Sequence, residues 1–328
     1  MEQTAESYKL SDIAARWGIT MARERPDISL AGSPERTEFR TVIEDAAYKR
    51  FVLERIPAPA LEHKERICRT LSQLQQQGLW AVIPYRRLAG KDGGYIYRDT
   101  ENGCWQLAEF CEGVALDRRR YFTEEWRGLA AADFLIGLRR ASENLQGAAS
   151  GELFSLAQYI DRFMRHLAHQ SADISHGIAP VTYFLEENFF PRYDGLVSAF
   201  CHGDFHPVNI MWGKGRIAGV IDWEFLGVKP EIYDAATMIG CVGIDDPQGI
   251  ISPLVCSCIA QLKKQRLFKP ESWQHLFSLT LAIRFAFLAE WHRLKNQDMV
   301  LFEIQYMNYL LKSRATIERR WELSDRQG

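Results

Sequence analysis

The hydrophobic period of this chain changes once, and the change divides it. Through residues 28–56 apolar positions alternate in ISLAG, EFRTVIED and KRFVLERI, the two-residue period of strands. Gly32, Ser33 and Pro34 break the first pair, and Asp45 to Ala47 break the second. Beyond Glu112 and Gly113 apolar residues recur at three and four, the helical period, over 122–145, 152–170, 181–190, 248–268 and 271–319. Strands first and helices afterwards specify an α+β chain rather than an alternating parallel one. The expected division is 1–111 and 112–328, and 328 residues with 47% hydrophobic content suffice for two cores.

Before the sheet, SYKLSDIAARWG spaces Leu10, Ile13, Ala14 and Trp17 as one helix face and stops at Gly18. This is similar to the first half of a helix-turn-helix, but a proline falls where the recognition helix should run. After the meander and Pro57 and Pro59, LEHKERICRTLSQLQQQG reads as a helix with Ile67, Leu71 and Leu74 on one face. YIYRD and CWQLAEFC then read as strands around the turn TENG. With 40 basic against 42 acidic residues the formal charge is -2, so no positive field would hold the chain on nucleic acid or an anionic membrane. Seven cysteines without CxxC spacing, no signal-peptide pattern and no run of ~20 apolar residues lead us to expect a soluble, cytoplasmic protein. No feature of the sequence sets an oligomeric state.

One segment interrupts the helical half. In FCHGDFHPVNIMWGKGRIAGVIDWEF, residues 200–225, NIMW, GKG and RIAGVIDW read as strand, turn and strand. A turn near Lys214 and Gly215 carries Asp222 back toward Asn209, with Asp204 five positions upstream of Asn209. Two carboxylates and an amide oxygen are hard ligands suited to Mg²⁺, which takes one or two carboxylates from protein and the rest from phosphate and water. A nucleoside triphosphate is the natural third party. Phosphoryl transfer needs a metal to neutralise phosphate and a further carboxylate to receive or orient the attacking hydroxyl. Asn209 and Asp222 therefore read as metal ligands, and Asp204 as the base or orienting group. His202 and His206 have a zinc spacing only on a helix, which Gly203 and Pro207 oppose, so His202 reads as a structural residue of the loop.

H-G-D-F-H-P-V-N followed by V-I-D-W-E resembles the catalytic loop and metal-binding segment of the aminoglycoside phosphotransferase and choline kinase family, relatives of the protein kinases. The resemblance implies a bilobal protein-kinase-like fold, with a small antiparallel-sheet N-lobe and a mostly helical C-lobe. It implies an ATP- and Mg²⁺-dependent phosphotransferase acting on a hydroxyl of a small molecule: an amino alcohol, sugar, amino sugar or aminoglycoside. His202, Asp204, Asn209 and Asp222 fall on the family's positions, and Asp234 of YDAA on an aspartate that braces the loop. The leading helix is similar to the N-acetylhexosamine kinase and homoserine kinase branches. LAGSPERTEFRTV, with Gly32, stands where the phosphate-covering loop would be, and AEFCEG implies adenine contacts from the backbone of Glu109, Phe110 and Cys111.

Family members carry a basic residue after VL in the third strand, where it clamps phosphates against a helix glutamate. Here FVLER puts Glu54 at that place and Arg55 on the next position, which points to the opposite face. Arg55, Arg36 or Lys49 would supply the charge, and Glu65 is the matching helix acid. Loss of the basic residue motivates a second reading, a nucleotide-binding pseudokinase without transfer activity. Glu224 is a further metal or substrate residue. In IRFAFLAEWHRL, Arg284 and Glu290 on a mostly apolar segment are expected to face the acceptor. The near-neutral charge does not favour a polycationic drug as the default acceptor.

Overall fold

The computed structural model describes residues 10–30, 36–90, 93–145 and 155–323. They group into two units, Met1–Gly113 with Gly219–Glu224, and Val114–Ala218 with Phe225–Gly328. The fold is α+β and kinase-like, with an antiparallel sheet in the first unit and mainly helices in the second.

In the first unit, β1 (Met21–Glu24), β2 (Phe39–Asp45), β3 (Arg50–Ile56), β4 (Tyr97–Arg98) and β5 (Cys104–Glu109) form an antiparallel sheet ordered β1-β2-β3-β5-β4. The alternation read in β2 and β3 decides which side chains face which way. Ile43, Phe51, Leu53, Trp105 and Leu107 share one face and pack against Leu10, Ile13, Ala14 and Trp17 of α1 (Leu10–Ala14) and the 3₁₀ turn that continues it. The other face carries Val42, Val52 and Ala108, and beside them a polar row, Arg40, Glu54 and Gln106, in register across three strands. α2 (Leu61–Gln76) buries Ile67, Cys68, Leu71 and Leu74 together with Lys64.

The first strand is not where alternation in ISLAG places it. Residues 28–30 carry no strand, 31 and 32 lie outside the described residues, and the edge strand is MARE. This edge has no apolar stripe to read. Its ladder is reinforced by ion pairs to Glu44, from Arg23 at 2.6 Å and from Arg25, just past the strand, at 2.8 Å.

The second unit contains α3 (Glu125–Ser142), α4 (Leu156–Gln170), α5 (Ala172–Asn188), α6 (Phe190–Tyr193), α7 (Tyr233–Asp245), α8 (Pro253–Lys264), α9 (Pro270–Trp273), α10 (Leu276–Arg293) and α11 (Gln297–Leu323). Two short ladders accompany them: β6 (Ser198–Cys201) with β9 (Gly227–Pro230), and β7 (Ile210–Trp212) with β8 (Ile217–Val220). The β7–β8 hairpin closes where the sequence indicates, with the Gly213 N–H donating to the Arg216 carbonyl at 2.8 Å. α7 escapes periodicity because every residue from Tyr233 to Gly243 is buried, leaving no polar face to alternate with an apolar one. Its packing is close enough that a Cβ on Gly243 would lie 2.0 Å from the Tyr306 hydroxyl, which donates to the Gly240 carbonyl at 3.0 Å. The long stretch 271–319 breaks into α9, α10 and most of α11, and 248–268 into a 3₁₀ turn and α8, which starts at Pro253 behind the capping Ser252. Among the described residues no helix is long and apolar enough to cross a membrane. All seven cysteines are unpaired thiols.

Candidate active site

The loop between β6 and β7 is built around one buried carboxylate. Asp234, in the first turn of α7, accepts the backbone N–H of His202 at Oδ2 (2.7 Å) and that of Gly203 at Oδ1 (2.8 Å). Gly203 holds φ at 87°, and a Cβ there would stand 2.1 Å from the Phe225 carbonyl oxygen. The imidazole of His202 is fully buried and its Nδ1 accepts the Asp204 N–H at 3.1 Å, which fixes the direction in which Asp204 leaves the loop. Phe205 anchors the next step by stacking on Phe134, with ring centroids 5.1 Å apart.

Asp204 and Asn209 meet within this loop. The Asn209 Nδ2 donates to the Asp204 carbonyl and to its Oδ2, both at 3.0 Å, and lies 3.1 Å from the His206 Nε2. With its amide nitrogen turned inward, Asn209 has its oxygen as the remaining donor atom for a hard cation. Burial presses the Asp204 carboxyl toward neutrality, but His206, His202 and the Asn209 amide outweigh it and hold the group below the ordinary aspartate range. Asp204 is a carboxylate at neutral pH.

Asp234 shows the opposite balance. Burial outweighs its two N–H partners and the Lys229 ammonium and raises it from 3.8 to about 6. The folded chain therefore keeps a proton that the unfolded chain has released. The stability this proton contributes is full below about pH 4 and is lost as pH rises to about 6. In Asp234→Asn that dependence disappears, and an amide N–H is set against one of the two loop donors. The wild-type advantage over the variant in urea unfolding should narrow between pH 4 and pH 6 and stay level above, at about 1–3 kcal/mol overall. An advantage independent of pH across that window would contradict the assignment.

In the first unit, the segment Gly219–Glu224 runs along Ala81 and Val82, with the Val220 N–H donating to the Ala81 carbonyl at 2.8 Å. Asp222 then takes a left-handed φ of 62°, a conformation aspartate tolerates better than most residues. Arg36 donates from Nη1 to both oxygens of Asp222, at 2.8 and 2.9 Å. The carboxylate is one-third exposed. It is a hard anionic oxygen pair suited to a divalent cation that would take the place of the guanidinium. Two residues on, Glu224 is paired with Lys64 and accompanied by His63, whose Nε2 lies 3.5 Å from the carboxylate and 3.0 Å from the Glu224 carbonyl. Burial opposes its charge, but these partners prevail and hold the carboxyl at about 2.

The remaining expected site residues are placed as follows. Gly32 lies outside the described residues. Arg55 is on the sheet face occupied by α1, with its guanidinium 6.0 Å from the Trp105 ring centroid and 3.4 Å from Glu38, so alternation separates it from the face holding Glu54. Lys49 pairs with Glu109 at 2.7 Å. The backbone N–H groups of Glu109 and Phe110 already donate to Pro84 and Arg50, so adenine recognition here would rest on the stretch's other backbone groups, including those of the half-buried Cys111. Glu65 accepts the Tyr95 N–H and pairs with Arg69 rather than with a strand cation. Arg284 is a correction to the acceptor-pocket reading. It is fully buried in a two-pronged ion pair with Glu303, at 2.6 and 2.7 Å, under the Phe287 ring. An arginine inside an apolar helix found its counter-ion on α11. Glu290 is half-exposed and pairs with Arg293 one turn away.

Two charged groups of the first unit were not singled out in the sequence, Lys64 and Arg40, and His206 was weighed only as half of a zinc spacing. Lys64 left a signal, since it stands three residues before Ile67 on the same stripe as Leu71 and Leu74, where a lysine is out of place unless paired.

A kinase-like fold carrying this loop and this aspartate segment defines a small-molecule phosphotransferase. Residues 33–253 match the phosphotransferase enzyme family, and the chain belongs to it. Among solved structures, aminoglycoside phosphotransferase from Alicyclobacillus acidocaldarius is similar at 15% identity and TM-score 0.63, covering 96% of both chains. The GDP complex of aminoglycoside 2'-phosphotransferase-IIIa is similar at 13% identity and TM-score 0.65, covering 95% of this chain and all of the other. Amicoumacin kinase hAmiN, in complex with AMP-PNP, Ca²⁺ and Ami, matches at 11% identity and TM-score 0.57, over 100% of this chain and 96% of that one. A search of curated proteins returned no match.

Proposed function

We propose that this chain transfers the terminal phosphoryl group of ATP, with Mg²⁺, to a hydroxyl of a small amino alcohol, sugar, amino sugar or aminoglycoside. The observation that carries the reading is Asp204 held as a partly exposed carboxylate, tied to Asn209 and set on a loop braced by Asp234. Support for nucleotide and divalent-cation use comes from related folds solved with GDP or with AMP-PNP and Ca²⁺.

Asn209 and Asp222 are the residues that would hold the cation. Both present oxygen donors, and among the described residues no group of three or more His, Cys, Asp or Glu forms an all-protein cage. Mg²⁺ commonly binds with only one or two carboxylates and completes its shell from phosphate. When bound, it neutralises the phosphate oxygens. Asp204 accepts the hydrogen bond of the acceptor hydroxyl and aims its oxygen. Because its pKa is depressed, it is a weak base, and its main contribution is orientation, with the proton taken up as the new oxygen–phosphorus bond forms. His206 and Asn209 fix the carboxylate so that little reorganisation is needed.

A Mg-ATP and Mg-GTP consumption screen over amines, amino sugars, sugars and aminoglycosides tests this. Consumption should depend on both the cation and one class of hydroxyl acceptor, with phosphate recovered on the acceptor. Nucleotide-dependent thermal stabilisation without transfer to any acceptor would overturn it in favour of a nucleotide-binding protein that lost transfer.

A further inference from the structure

Resting on that reading, we infer that Arg40 and Lys64 together replace the missing third-strand cation as the groups that grip the nucleotide phosphates. The position after Leu53 holds Glu54, so the strand itself offers an anion where a polyanionic ligand needs the reverse. The structure supplies cations from either side of it. Arg40, its cross-strand partner on β2, brings Nε to 2.5 Å from the Glu54 Oε1. Lys64 reaches from α2 with its side chain 8% exposed and pairs with Glu224.

One segment joins the surroundings of these two pairs: Ala81 and Val82 lie along Val220, four residues before Glu224, and Tyr85 bridges to Ala108, on the sheet face that also carries Gln106, Glu54 and Arg40. All of these groups belong to the first unit. This is the sheet face that α1 leaves alone, where Val42, Val52 and Ala108 form an apolar patch.

A second observation points to a ligand. Gln106 completes the row, 1% exposed, and donates from Nε2 to the Glu54 Oε2 at 2.6 Å. Its carbonyl oxygen is buried and has no hydrogen-bond donor among the described residues. A purely structural network would satisfy that atom, because a buried acceptor without a donor keeps its full desolvation cost. A ligand bearing hydroxyl or amino donors beside its phosphates would satisfy it.

The arrangement also has a physical logic. A buried cation needs a counter-charge when no ligand is bound, and two cations matched by two carboxylates keep these surroundings near neutrality. Arg40 and Lys64 are thereby held in place at little entropic cost, ready to share their donors with phosphate oxygens. Arg55 is on the opposite sheet face, beside Trp105, and Lys49 pairs with Glu109 near the end of β5.

The test compares affinities for a triphosphate and for its nucleoside, Mg-ATP with adenosine or Mg-GTP with guanosine, by calorimetry. Arg40→Met and Lys64→Met should each weaken triphosphate binding roughly 10- to 100-fold, as loss of a charge-assisted hydrogen bond does, while nucleoside affinity stays within about twofold. Lys64→Arg should retain most of the affinity. In the Arg40→Met background, Glu54→Lys returns a cation to the third strand and should recover triphosphate binding, which a merely structural pair would not do. Unchanged triphosphate affinity in both methionine variants, or equal losses of nucleoside and triphosphate, would overturn the inference. If Lys64→Met does not fold, the Arg40→Met and Glu54→Lys pair decides it, and failure of recovery counts against it. A wild-type chain that binds no nucleoside triphosphate would instead remove the phosphotransfer reading beneath it.

Discussion

Asp204→Asn should lower turnover by roughly 10² to 10⁴ while leaving nucleotide affinity and thermal stability near those of the wild type. The substitution keeps the shape and one oxygen, so Asn209 retains an acceptor, but it removes the anion that would receive the acceptor hydroxyl. The loop should stay folded, because its bracing bonds run to Asp234 through the backbone of His202 and Gly203, and these do not involve the Asp204 side chain. Single-turnover phosphate transfer, measured beside equilibrium nucleotide binding, separates the two effects. A variant that turns over at near-normal rate would remove Asp204 from the reaction.

Glu303→Ala should be the most destabilising single change described, at about 3–5 kcal/mol, because it leaves the fully buried Arg284 guanidinium without its anion. The remaining neighbours, the Cys241 sulfur at 3.4 Å and the Phe287 and Tyr306 rings, cannot neutralise a full charge. Replacing both partners, Arg284→Met with Glu303→Leu, should recover most of the loss, since apolar groups of similar volume carry no desolvation cost. Urea unfolding monitored by tryptophan fluorescence measures each. The double variant has a second use: normal turnover in it would show that Arg284 acts in packing only. A loss below about 1 kcal/mol for Glu303→Ala would mean that water reaches the pair.

How much could be read beforehand depends on what each signal requires. β2, β3 and β5 were legible because they are short runs rich in β-branched and aromatic residues bounded by turn signals, although β2 and β5 bury consecutive residues, Thr41 to Glu44 and Cys104 to Ala108, on both faces. α7 was invisible because a helix with no exposed side shows no helical period, and the four-residue β6 and β9 are too short to show any period. The loop 202–209 was legible because phosphoryl transfer constrains residue types at fixed spacing, independent of burial. Charge partners were not. Arg284 drew attention as a cation in an apolar helix, yet nothing in its own segment reveals Glu303 on the following helix. Lys64 was passed over for Glu65, since a chain read for a helix acid facing a strand base would not look for the base on the helix.

Six residues from late in the chain complete the unit that begins it. During synthesis, the sheet and α2 emerge first, but Val220 is not yet there to lie along Ala81 and Glu224 is not yet there to neutralise Lys64. The early half must therefore wait on the ribosome, at ~5–20 residues per second, holding a partly buried lysine without its anion. A fragment ending at Gly113 should accordingly be a poor autonomous folder by itself, and should gain stability when co-expressed with the fragment 114–328, which carries residues 219–224.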